Sequence, residues 1–134
     1  MKKIYKAEIP QLENLLADAE SFCEASGAGR ETAFKLGLCL DEIFTNIANY
    51  GCEGGKTCFV EVELDAKDGK IFGKISDDAK KFNPLSEAAA PDLTSPVEKR
   101  EIGGLGVYLV KKNLDSVEYK YENGKNVLSF HKKF

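Results

Sequence analysis

Apolar residues recur along this 134-residue chain at two periods, and the switches between those periods mark out its elements. Leu12, Leu15, Leu16, Ala19, Phe22 and Cys23 return at helical spacing just after Pro10, a residue suited to a helix's first turn. Gly27 and Gly29 end that helix. Leu36, Leu40, Ile43 and Ile47 form the apolar stripe of a second helix, predicted from about Glu31 to Tyr50 and closed by Gly51. Alternation by two then takes over. Cys58, Val60, Val62 and Leu64 interleave with Phe59, Glu61 and Glu63. Ile71, Gly73 and Ile75 resume the pattern after Asp68-Gly69, a strong hairpin signal. A first strand is predicted over residues 3–9, with Ile4 out of phase with Tyr5, Ala7 and Ile9. A third helix runs from Gly104 to about Asn113. Val117, Tyr119 and Tyr121 then lead through Asn123-Gly124 into a last strand over residues 127–134.

The order β-α-α-β-β-lid-α-β-β predicts one α/β domain, a two-layer α/β sandwich with a mixed, mostly antiparallel sheet and helices on one face. Residues 78–103 break the regularity, punctuated by Pro84, Pro91 and Pro96. A stretch that long is uncommon in a small domain unless it is a lid, a binding loop or disordered.

Composition narrows the chemistry. Twenty-two acidic against 19 basic residues leave a net charge of −3, which argues against a protein that binds nucleic acid by neutralising phosphates. No long uncharged apolar run suggests a membrane span, and Lys6 and Glu8 interrupt any apolar region behind Met1. Cys23, Cys39, Cys52 and Cys58 include no C-x-x-C pair, and His131 is the single histidine, so a tetrahedral zinc site is not supported. Reduced thiols and a cytoplasmic location are expected. With one histidine, carboxylates become the place to look for catalysis.

Three features could carry it. Glu42, Asn46 and Asn49 stand at i, i+4 and i+7 on the second helix, away from its apolar stripe. The ordinary reading of such a triplet is a solvated face. Yet a glutamate can accept a proton, and an asparagine oxygen one turn away is a hard ligand suited to Mg²⁺. Gly103-Gly104-Leu105-Gly106 opens the third helix, where free N–H groups favour an anion; its ordinary reading is a flexible entry. Asp77-Asp78-Ala79 closes a strand and would otherwise be a turn starter, though Asp77 could face an adenine amino group. A P-loop resemblance in Gly51-Cys52-Glu53-Gly54-Gly55-Lys56-Thr57 fails. The glycine spacing is one residue short, and a helix precedes where a strand is required.

Taken in order, these pieces resemble the GHKL ATPases. Asp41-Glu42-Ile43-Phe44-Thr45-Asn46 resembles their N box, Asp77-Asp78-Ala79 their first glycine box and Gly104-Leu105-Gly106 their second. The chain is most similar to the anti-sigma-factor serine kinase branch (RsbW/SpoIIAB-like). The matching stretches are residues 77–84, residues 100–110, and Gly124-Lys125-Asn126-Val127-Leu128-Ser129. The resemblance implies a Bergerat fold, a single HATPase_c-like domain over residues 1–134 with a flexible ATP lid at about 79–103, and ATP with Mg²⁺ as cofactors. It implies nucleotide binding by Asn46, Asn49, Asp77, Ala79, Gly104, Gly106 and Ser129. In that scheme Asn46 holds Mg²⁺, Asp77 accepts from the adenine amino group, and Gly104 and Gly106 offer N–H groups to phosphates. Ser129 supports the adenine end, and Glu42 is the general base. The implied substrate is a serine on a STAS-domain anti-anti-sigma protein. A sigma factor is the regulated partner, a homodimer is expected, and neither nucleic acid nor membrane is bound directly.

Ala79 stands where the first box has glycine, and its methyl group could crowd the adenine or forbid a positive φ. An inactive, partner-sequestering nucleotide-binding module is therefore the competing reading. A histidine kinase's catalytic module is a further one, although His131 falls on a terminal strand. Valine at Gly106 is expected to abolish nucleotide binding and leave the fold intact.

Overall fold

Two turns organise the sheet. Asp68 and Gly69 have φ of 53° and 72°, and Asn123 and Gly124 have φ of 54° and 75°. Both pairs meet the left-handed demand of a two-residue hairpin loop, which Asn, Asp and Gly satisfy at least cost. They join β2 (Phe59–Lys67) to β3 (Lys70–Asp77) and β4 (Ser116–Glu122) to β5 (Lys125–Lys133). With β1 (Lys2–Lys6) they form a five-stranded sheet in the order β1-β2-β3-β5-β4. The computed structural model describes residues 1–87 and 104–134. Within them every pairing is antiparallel, which corrects the expectation of a mixed sheet.

One sheet face carries the core. Tyr5, Val60, Val62, Leu64, Ile71, Ile75, Leu128 and Phe130 are buried there, while Ile4, Phe59 and Phe72, out of phase with them, are exposed. Each fully buried aliphatic or aromatic side chain contributes about 1.5–3 kcal/mol relative to exposure. The Phe130 ring lies over Gly73, in the space a Cβ would need. Against this face pack α1 (Leu12–Ser26) and α2 (Arg30–Asn46). Gly27, at φ 74°, ends α1 with its N–H directed to the Cys23 and Glu24 carbonyls. Leu36, Leu40 and Ile43 of the predicted stripe are buried, together with Cys39 and Phe44.

The second helix ends earlier than predicted. It passes at Ile47 into a π-helical turn, Ile47–Gly51. A four-residue α3 (Pro84–Glu87) follows β3, and α4 (Gly104–Asn113) begins at the predicted glycine. The expected lid overlaps the described chain only at residues 79–87; Gly103 and residues 88–102 lie outside the described residues. Lys132, buried on β5, donates from Nζ to the Asn113 carbonyl at 2.6 Å. A cation on the last carbonyls of a helix complements its dipole and anchors α4 to the sheet.

The thiols differ from expectation. Cys52 and Cys58 are joined, their Cα atoms 5.9 Å apart, across a loop turned by Gly54 and Gly55 at φ 65° and 73°. Cys23 and Cys39 are free and buried, and burial pushes the Cys39 thiol up to about 11.

Candidate nucleotide site

Helical spacing brings Glu42 and Asn46 together on α2. Asn46 Nδ2 donates to Glu42 Oε1 at 2.9 Å. A carboxylate only accepts, so this bond assigns the amide: its nitrogen faces Glu42 and its oxygen is turned elsewhere. Both side chains are half-buried. Gly106 of α4 closes the arrangement from the other side. It is buried, and a Cβ there would fall on the Glu42 carboxyl group. Glycine at 106 is thus what lets α4 approach α2. The N–H groups of the first turn of α4, Gly104 and Gly106 included, have no carbonyl within the helix to bond.

A second cluster sits where β3 ends. Asp77 is only 7% exposed, and its Oδ1 accepts from the Ala79 N–H at 3.1 Å and from Asn126 Nδ2 at 2.9 Å. Burial raises the Asp77 carboxyl above its ordinary value, the two hydrogen bonds pull it down, and neighbouring Asp78 raises it again. Ala79 is buried and is not among the residues with positive φ. Its methyl group lies 2.9 Å from where a Cβ on Gly51 would be, and Lys80 N–H donates to the Gly51 carbonyl at 3.1 Å. The alanine is therefore accommodated by the glycine that closes the π turn, and needs no left-handed backbone. That contact joins the end of β3 to the end of α2.

The donor set suits a magnesium nucleotide. The Asn46 amide oxygen, turned away from Glu42, a buried carboxylate acceptor and N–H groups without an intrahelical partner at a helix start match a cation, an amino group and phosphates respectively. Among the described residues no three His, Cys, Asp or Glu side chains gather to hold a metal, so a cation here would complete its shell with phosphate oxygens and water.

Residues 5–132 match the family described as Histidine kinase-like ATPase domain. The chain belongs to this family. Among its relatives, the Serine-protein kinase RsbW of Listeria monocytogenes serovar 1/2a is 26% identical over 106 residues, covering 77% of this chain and 68% of the relative. The Serine/threonine-protein kinase BtrW of Bordetella bronchiseptica is 25% identical over 96 residues, covering 72% and 67%. The histidine kinase domain of the Erythrobacter litoralis EL346 blue-light activated histidine kinase superposes with a TM-score of 0.57 at 15% identity. It covers 91% of this chain, and the chain spans 60% of that one. The Bergerat-type sandwich of the GHKL ATPases is thus the fold of this chain.

Within that ATPase fold, two expected residues are not brought to the clusters. Ser129 pairs with Lys74, and the continuous register from Asp77↔Asn126 to Lys70↔Lys133 places it three residues beyond Asn126. Side chains alternate along a strand, so Ser129 stands on the open face and Asp77 on the helix face. Asn49 is exposed in the π turn and takes no part in the hydrogen bond that pairs Asn46 with Glu42. The residue that supports Asp77 is Asn126, for which no role was expected although it lies in the quoted strand motif. Strand parity carried the signal. Leu128 and Phe130 are evident core positions, so Asn126 shares their face and Ser129 does not.

Proposed function

We propose that this ATPase domain is an ATP-dependent protein-serine kinase acting as an anti-sigma factor, its substrate a serine of a STAS-domain anti-anti-sigma protein. The observation that carries the reading is the Glu42–Asn46 hydrogen bond packed against Gly106, with the buried Asp77 at the end of the adjoining strand. The names of the serine kinase relatives support it. Asp77 Oδ2 accepts from the adenine amino group, and the first-turn N–H groups of α4 hold phosphate oxygens. Asn46 Oδ1 and the nucleotide together would hold Mg²⁺, which would supply neutralisation of the charge that spreads over the phosphate oxygens. Glu42 takes the proton of the serine hydroxyl as its oxygen bonds to the γ-phosphorus and the bond to the β-phosphate oxygen breaks. The products are phosphoserine and ADP.

Ala79, the feature that favoured an inactive module, loses that force because its methyl group meets Gly51 and its backbone is unstrained. Among the described residues no helix is long and apolar enough to cross a membrane.

The test is transfer from radiolabelled ATP, with Mg²⁺, to a STAS-domain protein from the same genome. Glu42→Gln should lower the transfer rate by about 10²–10⁴-fold, the usual worth of a general base, with nucleotide affinity little changed. Absence of transfer by the unaltered protein, with partner binding intact, would sink the kinase reading and leave the sequestering module.

A further inference from the structure

The carboxamide of Asn126 makes more contacts at the candidate site than any expected residue. It is 6% exposed. Its nitrogen donates to Asp77 Oδ1 at 2.9 Å and to the Lys80 carbonyl at 2.9 Å. Its oxygen accepts from the Phe82 N–H at 3.0 Å and from the Tyr119 hydroxyl at 2.6 Å. The amide's polar capacity is nearly filled, and its orientation is set from three sides: β3, the segment that follows it, and β4. Asp77 consequently has Oδ1 engaged by two donors, Asn126 and the Ala79 N–H, which leaves Oδ2 to meet a ligand.

We infer that Asn126 is a positioning residue that sets base selectivity, holding Asp77 as an ionised acceptor so that it takes a 6-amino purine and rejects a 6-oxo purine. The inference rests on the nucleotide-binding reading above. A carboxylate accepts from an exocyclic amino group but repels a ring carbonyl; a neutral carboxyl can donate to that carbonyl. Burial and the charge of Asp78 favour the neutral form of Asp77. The Asn126 amide opposes them, as a hydrogen bond to the charged form does. The other groups nearby are committed elsewhere: Lys56 Nζ to the Asp78 carbonyl, Lys80 Nζ to Glu53, Lys81 over the Tyr121 ring, and the Tyr119 hydroxyl to Asn126 itself. No described cation replaces the amide's pull on Asp77.

The experiment compares ADP with inosine diphosphate, whose base carries a 6-oxo group and an N1–H in place of the 6-amino group and bare N1 of adenine. Binding is measured by calorimetry from pH 5 to 8 on the full chain, for the unaltered protein, Asn126→Ala and Asn126→Asp. The Asp77 carboxyl carbon is followed by NMR without nucleotide. Loss of a hydrogen bond to a charged group should cut the ADP preference by about tenfold or more, most strongly at the acid end of that pH range. The pH below which ADP binding weakens should move up, and the Asp77 titration should move up with it. Asn126→Asp keeps the two accepted bonds and deletes only the donated ones, so its loss of preference should be at least as large. Tyr119→Phe, the mildest change, should show the same direction. Equal weakening of both nucleotides, with the Asp77 titration unmoved, would reduce Asn126 to a purely structural role and overturn the inference while sparing the nucleotide reading. Failure of the unaltered protein to bind either nucleotide would overturn both.

Discussion

The two ends of the candidate site are built differently. At the sheet end, Asp77 and Asn126 are buried and tied to each other, to the backbone of Ala79, Lys80 and Phe82, and to Tyr119. At the helix end, Glu42 and Asn46 are half-buried, share one hydrogen bond and lean on a glycine. An end whose hydrogen bonds are already made has little to reorganise when a ligand arrives, which is what recognition requires. An end with one bond between an acid and an amide can exchange that bond for a cation and a hydroxyl. The difference suits the proposed division between reading a base and moving a proton.

The largest blow to the helix end is Gly106→Val. The sequence alone suggested loss of nucleotide with the fold intact. The structure adds a cost, because the new side chain must displace the Glu42 carboxyl group. Overpacking of this kind costs about 1–3 kcal/mol. The expected result is no measurable ATP binding together with a lowered urea midpoint. Full stability, or retained affinity, would show that α2 and α4 are not in contact there.

Asp77→Asn should act on the sheet end in the opposite sense. Nucleotide affinity should fall by about tenfold or more, the worth of a charge-assisted hydrogen bond. Stability should rise, because the fold favours the neutral carboxyl. A group whose native value is raised stabilises fully below its unfolded value, and that contribution is lost as pH rises through the native one. The advantage of Asp77→Asn should therefore be present at pH 7 and vanish as pH falls through the carboxylate range. A variant less stable than its parent at pH 7 would contradict the raised Asp77 carboxyl.

Much of this was legible in the chain. The Asp68-Gly69 and Asn123-Gly124 turns, the stripe of α2 and the glycine opening α4 all stand where local pattern put them, because each obeys a rule of its own few residues. Glu42 and Asn46 were legible as neighbours, since helical spacing alone pairs them. What was not legible depends on strands distant in sequence. The β3–β5 register that seats Asn126 beside Asp77 spans about fifty residues, and no local pattern encodes it. Strand parity nevertheless argues for Asn126 over Ser129. Resemblance to a strand motif could not decide between two polar residues three positions apart, and a one-step change of parity moves a side chain to the other face. The π turn was missed for a related reason: the apolar stripe runs into it through Ile47, and hydrophobic spacing barely distinguishes the two windings over one turn.

The smallest expected effect concerns the joint between the two ends. Gly51 closes α2's π turn, Ala79 follows β3, and the methyl group of one fills the space that the missing side chain of the other leaves. Gly51 is not in the left-handed region, so alanine there meets a spatial conflict only. Gly51→Ala should cost about 1–2 kcal/mol, because two methyl groups cannot share one space without a backbone shift. Ala79→Gly alone should also destabilise, by less, through lost burial and a more flexible unfolded chain. Combined, the two exchanges swap which partner carries the methyl group, and the double variant should recover part of the loss, with a coupling of about 1 kcal/mol in urea unfolding. If the two costs simply add, the ends are not joined at this contact. If they couple, nucleotide affinity of the Gly51→Ala protein should also fall, because a shift at Ala79 moves the N–H that Asp77 depends on.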